Sequence, residues 1–235
     1  MLTRTNATRN VIACQRPIGD FERVMQHTLT RLDHGLEFIG AHLATDFLNT
    51  SSYRYDKTRA HEHIQTYADL VEFARQAGEI GAALARRLIA QAEAQPEKAA
   101  QIYRRAVALR EATWTAFSRI AHEREAPREA VDLISAEAAD AQAHARLDRV
   151  LDGWQWQWPD DDMARPLWPI ARAAADLLTS EDRRLLRECA DDTCAWMFVD
   201  RTKNHSRRWC NENTCGSRTK VRAFRQRQKR VARAR

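Results

Sequence analysis

Four cysteines in the C-terminal part of the chain constrain its fold more than any other feature. Cys189 and Cys194 form one C-x4-C pair, and Cys210 and Cys215 form a second pair after an interval of 15 residues. Structural zinc is held by four thiolate or imidazole ligands, which two tight turns commonly deliver as close pairs. The residues inside both pairs are polar turn formers. The spacing therefore predicts a structural Zn2+ site made of four thiolates.

Other roles for these cysteines fit the sequence less well. The N-terminal segment MLTRTNATRN has no unbroken apolar stretch of the kind found in secretory signals, so we expect a reducing, cytoplasmic location and no disulfides. A redox pair would prefer C-x-x-C spacing. His205 lies between the two pairs and is an alternative ligand, although four cysteines already complete the set. Cys14 has no cysteine nearby, and we expect it to be a bystander.

Charge is distributed unevenly along the chain. Residues 201–235 contain 13 Lys and Arg and one acidic residue, a net charge of +12, whereas residues 1–200 have a net charge of −6. A basic block fused to a metal site is the electrostatic pattern of a protein that contacts phosphates. For residues 227–235, a solvated and disordered tail is an equally good interpretation.

A basic helix is predicted over residues 216–230. Its apolar residues, from Val221 and Phe224 to Val231, fall on one face, which we expect to pack against the zinc loops. Arginines fall on another face, where they can bind phosphate or pair with guanine edges in a major groove. The predicted DNA-binding residues of the chain are Arg207, Arg208, Arg218, Lys220, Arg222, Arg225 and Lys229.

The residues before the cysteines predict a helical body with a small β element. Ala-rich stretches with helical periodicity cover residues 65–94, 98–122 and 128–148. Two further helices are expected over residues 167–178 and 180–188, the second capped by Thr179. Residues 154–158 read Trp-Gln-Trp-Gln-Trp, which is typical of a strand. We expect its partner strand partly within residues 38–47 or in another run of the chain. Its tryptophan face is expected to press on helices, with an aromatic box for a ligand as the alternative.

The predicted fold class is thus mainly α with a small β element, in three parts. Residues 1–35 form a poorly ordered extension, and residues 36–180 form a helical domain. Residues 181–235 form a small four-cysteine zinc finger with a basic helix and tail, here called the finger. No Gly/Ser-rich linker precedes the finger, so we expect it to be rigidly coupled to the helical domain.

The run from Arg187 to Arg225 resembles the CGNR zinc finger, whose pattern is C-x4-C, W-x-F-x-D, a basic linker ending in R-R-W-C, and C-G-N-R before a basic helix. Ser217 stands where that pattern has asparagine.

The segment HLATDFLNT at residues 42–50 resembles the opening motif of the ABATE domain, and PLWPIA at residues 166–171 resembles its closing motif. Members of this family are regarded as candidate transcription regulators with a stress-sensing domain. The resemblance implies a zinc-dependent DNA-binding regulator whose helical domain senses a signal or mediates dimerisation.

Catalysis finds no support in the sequence. His61 and His63 are two residues apart, not at the i, i+4 spacing of a helical metalloprotease site, and no G-x-S-x-G or phosphate-binding glycine loop is present. A four-cysteine zinc site is also closed to substrate. We therefore expect no enzyme. A small-molecule pocket lined by His42, Asp46, Asn49 and Arg110 is one interpretation of the polar residues in the helical domain; their use in helix ends and packing is the other.

Duplex DNA is the expected partner. An RNA-binding or protein-interaction module, in which zinc is purely structural, is the alternative. A small-molecule effector and a homodimer are both compatible with the helical domain. No segment reaches the roughly 18 apolar residues of a membrane span, so we expect no membrane partner.

Overall fold

The computed structural model describes residues 36–151 and 153–233, and this part of the chain is mainly helical, as the sequence predicts. The predicted extension over residues 1–35, with Cys14, lies outside the described residues. Within the described ranges, the α-helices are α1 (Leu43–Leu48), α2 (Tyr67–Gln76), α3 (Ala82–Ala94), α4 (Pro96–Ala121), α5 (Arg128–His144), α6 (Trp168–Thr179) and α7 (Ser217–Arg233). None of them is long and apolar enough to cross a membrane.

The strands of the described residues are short and pair as three antiparallel two-stranded sheets. These are β1 (Ser51–Ser52) with β2 (His61–Glu62), β3 (Arg146–Val150) with β4 (Gly153–Gln157), and β5 (Leu186–Glu188) with β6 (Met197–Val199).

The main core lies between the long helices. α4 contacts α2, α3, α5 and α6, and α5 packs along α6. Leu70, Leu88, Leu109, Phe117 and Trp168 are fully buried there. Burial of side chains of this size contributes about 1.5–3 kcal/mol each, which makes this cluster the main source of the fold's stability.

The long helix predicted over residues 65–94 is divided in two. Thr66 and Asp69 form a capping box that starts α2. Gly78 then adopts φ 78°, a left-handed conformation that favours glycine, and ends the first helix, so that α3 begins only at Ala82. The helix predicted over residues 98–122 is confirmed as α4, with Pro96 at its first position.

The tryptophan strand is confirmed as β4, but a partner within residues 38–47 is wrong. Residues 43–48 form helix α1, and β4 pairs instead with β3, in the register Leu147 to Trp156 and Arg149 to Trp154. β3 occupies the end of the segment predicted as helix, since α5 stops at His144 and Ala145 is extended. The expected packing of the tryptophan face is wrong for Trp154, which is 69% exposed, whereas Trp156 lies under the guanidinium of Arg172 on α6. Trp158 packs on α5, and its Nε1 donates to the carbonyl of Ala141 at 2.7 Å.

The prediction of an α-helix over residues 180–188 is also wrong. Residues 181–185 form a 3-10 helix, and the chain then enters β5, because the apolar run of β6 offers it a partner strand. Thr179 is not a cap. It is the last residue of α6, and its hydroxyl donates to the carbonyl of Ala175 at 2.9 Å.

The helical domain and the finger are joined by hydrogen bonds. Asn49, at the end of α1, donates to the carbonyl of Met197 at 2.9 Å and accepts from its N–H at 2.8 Å. The N–H of Val199 donates to the carbonyl of Gly40 at 2.8 Å. Trp114 Nε1, on α4, donates to the carbonyl of Ala195 at 3.1 Å. Since these bonds cross the predicted boundary at residue 180, the exact division into domains stays a prediction.

We predict that Asn49→Ala lowers the free energy of unfolding by about 3 kcal/mol, because it leaves the buried N–H and carbonyl of Met197 without partners, at about 1–3 kcal/mol each. Urea unfolding of the zinc-loaded chain measures this. The matched control is Asn204→Ala, at an exposed site, with an expected change below about 0.5 kcal/mol. Equal effects of the two substitutions would contradict the joining role of Asn49.

Candidate metal centre and nucleic-acid interface

The four cysteines predicted as ligands converge at one point. Their sulfur atoms lie within 4.8 Å of one another, and all four side chains are buried. The Cys194 and Cys210 sulfurs are 3.7 Å apart, and those of Cys210 and Cys215 are 3.5 Å apart. A tetrahedron with Zn–S bonds of about 2.3 Å has edges of about 3.8 Å. The sulfur positions therefore match a tetrahedral zinc site.

Polar residues shape the first cysteine loop. Asp191, which is buried, accepts hydrogen bonds from the N–H of Thr193 at 3.1 Å and from its hydroxyl at 2.7 Å. The N–H of Cys194 then donates to the Asp191 carbonyl at 3.0 Å. These bonds close the turn that aims Cys189 and Cys194 at the same point.

The second loop depends on a glycine. A π-helical turn over residues 212–216 carries Cys215, and the N–H of Gly216 donates to the Asn211 carbonyl at 3.2 Å. A Cβ on Gly216 would lie 3.0 Å from the Glu212 carboxylate and 3.3 Å from the Trp209 ring. A side chain at this position would therefore require the Glu212 carboxylate and the Trp209 ring to shift by a few tenths of an ångström.

The chemistry of the cluster fits a divalent cation. Hydrogen bonding among the sulfur atoms lowers the pKa of Cys189 and raises the pKa of Cys194 and of Cys210 above that of an ordinary thiol. Four thiolates at this separation repel one another, so they need a compensating cation to be ionised together. His205 does not contribute a ligand. It is exposed, and its Nδ1 donates to the Asp200 carbonyl at 2.9 Å.

Two of the predicted DNA-binding arginines point into the finger. Arg207 donates to the carbonyls of Trp209 at 3.1 Å and Ile39 at 2.9 Å, and its guanidinium lies over the ring of Phe198. Arg218 donates to Asp191, at 2.8 Å, and to the Cys215 sulfur, at 2.9 Å. Both side chains are partly buried.

The other five predicted DNA-binding residues lie at the surface. Lys220 pairs with Glu212, and Arg222 pairs with Asp192, at the rim of the finger. Arg208 is exposed, with its guanidinium 4.9 Å from the Trp209 ring centroid. Arg225 and Lys229 are exposed further along α7. A role in DNA binding stays a prediction for all seven residues.

The predicted basic helix is confirmed as α7, but its expected packing is wrong. Val221, Phe224 and Val231 are 48%, 55% and 55% exposed and do not pack against the zinc loops. Arg218, Thr219, Arg222 and Ala223 form the less exposed side. The ion pair between Arg218 and Asp191 fixes this rotation, because it draws the polar side of the helix onto the first cysteine loop.

The four residues predicted to line a small-molecule pocket have partners within the fold. His42 caps α1 by accepting from the N–H of Ala44 at 3.2 Å. Asn49 is bonded to Met197, and Arg110 forms an ion pair with Glu62 at 2.5 Å. Asp46 accepts from the N–H of Gly40 at 2.6 Å. These contacts are of the kind expected if the four residues serve helix ends and packing. A ligand pocket lined by them stays a prediction.

Sequence reasoning missed Tyr53 and Asp191, both of which contact Arg218. Asp191 carries a local signal, since an acidic residue two positions before a threonine in a cysteine loop can close the turn. Tyr53 carries none, because it lies more than 130 residues away in the sequence.

Two protein-family models match the chain. The ABATE family, described as "Putative stress-induced transcription regulator", matches residues 41–181, and the CGNR zinc finger matches residues 185–228. Both matches, and their order, confirm the resemblance seen in the sequence. Together with the sulfur cluster they identify a structural Zn2+ site at Cys189, Cys194, Cys210 and Cys215. A search of curated proteins found no match to the chain.

Asp46 makes the stability of the fold depend on pH. Burial raises the pKa of this carboxyl to about 7, although its hydrogen bond from Gly40 and the charge of Arg207 act in the opposite direction. In the unfolded chain the carboxyl ionises near its ordinary pKa of 3.8. Between these two values the folded state binds the proton more tightly, so stability falls as pH rises from about 4 to 7.

We predict that the wild type loses about 2 kcal/mol more stability between pH 5 and pH 7 than Asp46→Asn, which cannot ionise. Urea unfolding of both proteins at the two pH values measures the difference, and effects of other titrating groups cancel in it. Parallel pH profiles of the two proteins would show that Asp46 is already ionised at pH 5 in the folded state.

Proposed function

Since the chain belongs to the ABATE family and carries a CGNR zinc finger, we propose that it is a cytoplasmic, zinc-dependent transcription regulator that binds duplex DNA and is not an enzyme. The observation that carries this proposal is helix α7. It starts two residues after the zinc ligand Cys215 and contains eight Lys and Arg and no acidic residue. Zinc thus fixes one end of a strongly basic helix.

The outer part of α7 is suited to a polyanion. From Phe224 to Arg233 every side chain is exposed. Arg225 and Lys229, and then Lys229 and Arg233, are like-charged neighbours at i, i+4, a spacing that destabilises a helix by about 0.2–0.5 kcal/mol per pair. Phosphates along a DNA backbone would relieve this repulsion, so binding and helix stability support each other.

The position of each basic residue suggests its role. Arg225 and Lys229 are the best candidates for phosphate or groove contacts, because they are exposed and lie along the free helix. Arg208 and Arg222 lie nearer the metal site and can reach phosphates at the rim. Val221 and Phe224 are exposed on the same helix. Apolar side chains of this kind can contact thymine methyl groups in a major groove.

An RNA-binding or protein-interaction module remains the alternative function. Single-strand binders stack bases on several exposed aromatic side chains. In the finger, Trp209 is partly buried between Arg208 and Lys220, which leaves Phe224 as the exposed aromatic ring among the described residues of α7. This composition favours duplex DNA.

For the helical domain we propose dimerisation through the hairpin β3–β4. Leu147, Leu151 and Trp154 are 53%, 104% and 69% exposed, and a two-stranded hairpin is marginally stable without a covering layer. The neighbouring groove between α5 and α6 has a volume of about 330 Å3, and Arg172 lines it while lying over the Trp156 ring of the hairpin.

The proposed partner of this surface is a second copy of the chain. Because hairpin and groove are adjacent, one two-fold axis can place each hairpin on the groove of the other protomer. A symmetric pair of fingers would then match a palindromic DNA site. The identity of a small-molecule effector, and its pocket at His42, Asp46, Asn49 and Arg110, stay predictions.

We predict that the double variant Arg225→Ala/Lys229→Ala weakens duplex binding and reduces the slope of log affinity against log salt by about 2, because each lost phosphate contact removes about 0.9 from the slope. Fluorescence anisotropy at several salt concentrations measures both effects. The control Arg86→Ala/Arg104→Ala removes the same charge from exposed sites of the helical domain. Equal slopes for the two variants would remove this part of α7 from the interface.

We predict that Trp154→Ser shifts the chain from dimer to monomer, because it removes the largest exposed apolar side chain of the hairpin. Sedimentation equilibrium measures the mass. Phe224→Ser, which removes an exposed aromatic ring from α7, is the matched control and is expected to leave the dimer intact. A monomeric wild type, or an unchanged dimer in Trp154→Ser, would exclude dimerisation through the hairpin.

A further inference from the structure

The guanidinium of Arg218 lies where three parts of the molecule meet. Its Nη2 donates to the Cys215 sulfur at 2.9 Å, and its Nε donates to the Asp191 carboxylate at 2.8 Å. Its Nη1 donates to the hydroxyl of Tyr53 at 3.1 Å. Arg218 therefore connects a zinc ligand, the first cysteine loop and the helical domain through one rigid, planar group.

Tyr53 is held firmly enough to serve as an anchor. It follows β1 and adopts φ 55°, a left-handed conformation that costs a non-glycine residue about 1–3 kcal/mol and persists only where the surroundings enforce it. The guanidinium of Arg59 lies 3.9 Å from the centroid of its ring. The Tyr53 hydroxyl thus presents a fixed partner to Arg218.

The charges around Arg218 balance one another. The buried carboxylate of Asp191 forms an ion pair with the guanidinium of Arg218 at 2.8 Å. The same guanidinium therefore presents a cationic donor to the Cys215 sulfur.

We propose that Arg218 is a positioning residue of the metal centre, which holds Cys215 in its ligand orientation and ties the zinc site to Tyr53 of the helical domain. A four-thiolate zinc site carries a net charge of −2, and an N–H donor to a thiolate disperses part of that charge and fixes the orientation of the sulfur. This role differs from DNA contact, since all three guanidinium nitrogens have partners inside the protein. It stands whether or not α7 binds DNA.

The test compares zinc release from the full zinc-loaded chain and its Arg218→Gln variant. Transfer of zinc to a colorimetric chelator is followed at one fixed pH for both proteins. We expect release from Arg218→Gln to be about tenfold faster, in line with the loss of other outer-sphere partners of metal ligands.

A spectroscopic measurement separates positioning from general destabilisation. In the cobalt-substituted protein the sulfur-to-cobalt charge-transfer band should shift to lower energy in Arg218→Gln, since a thiolate without the donor gives up electrons more easily. Arg222→Gln is the matched control. It removes the same charge one turn further along α7, where the guanidinium pairs with Asp192 and lies 3.9 Å from Asp191.

Tyr53→Phe tests the connection to the helical domain and keeps all four ligands and the Asp191 pair. We expect it to accelerate zinc release by a smaller factor than Arg218→Gln. If Arg218→Gln does not hold zinc at all, Tyr53→Phe decides the outcome. The proposal is overturned if Arg218→Gln releases zinc at the rate of Arg222→Gln with an unshifted cobalt band, or if Tyr53→Phe matches the wild type.

Discussion

The convergence of four sulfur atoms on one buried point is the constraint on which the C-terminal part of the molecule depends. Around the sulfur atoms the apolar cluster contains Phe198, with Ile39, Trp196 and Trp209 partly buried beside it, whereas Leu186, Met197 and Val199 belong to the main core. The described residues after β6 bury no apolar side chain besides Cys210 and Cys215, so this segment has too little apolar burial to offset the conformational entropy of its ordering without the metal. Zinc contributes on the order of 10 kcal/mol to such a fold. The direction in which α7 leaves the protein is therefore set by the metal.

The finger is nevertheless continuous with the helical domain. Asn49 bonds to the backbone of β6, Trp114 bonds to the carbonyl of Ala195, and Arg207 reaches back to the carbonyl of Ile39. A rearrangement of α1 or α4 would disturb these bonds and so change the position of the metal loops. The proposed function would require such a connection, if a signal in the helical domain is to alter DNA binding by the finger.

The zinc ligands, helix α4 and the basic helix α7 could be predicted from the sequence, because each depends on local spacing or periodicity. The partner of β4 could not, since the residues of β3, Arg146 to Val150, are mostly polar and continue an Ala-rich helical pattern. Likewise Ser180 to Glu188 has helix-capping residues, and pairing with the distant β6 overrides them. Charge alone also does not distinguish Arg218, which faces a thiolate, from Arg225, which faces solvent.

Selection of bound duplexes from a random-sequence pool at physiological salt tests the central claim most directly, if zinc-loaded and metal-stripped protein are run in parallel. The account predicts enrichment of one motif with the zinc-loaded protein, and its loss when zinc is removed, because α7 is then no longer oriented. Enrichment of the same motif by the metal-stripped protein, or of no motif by the zinc-loaded protein, would contradict it.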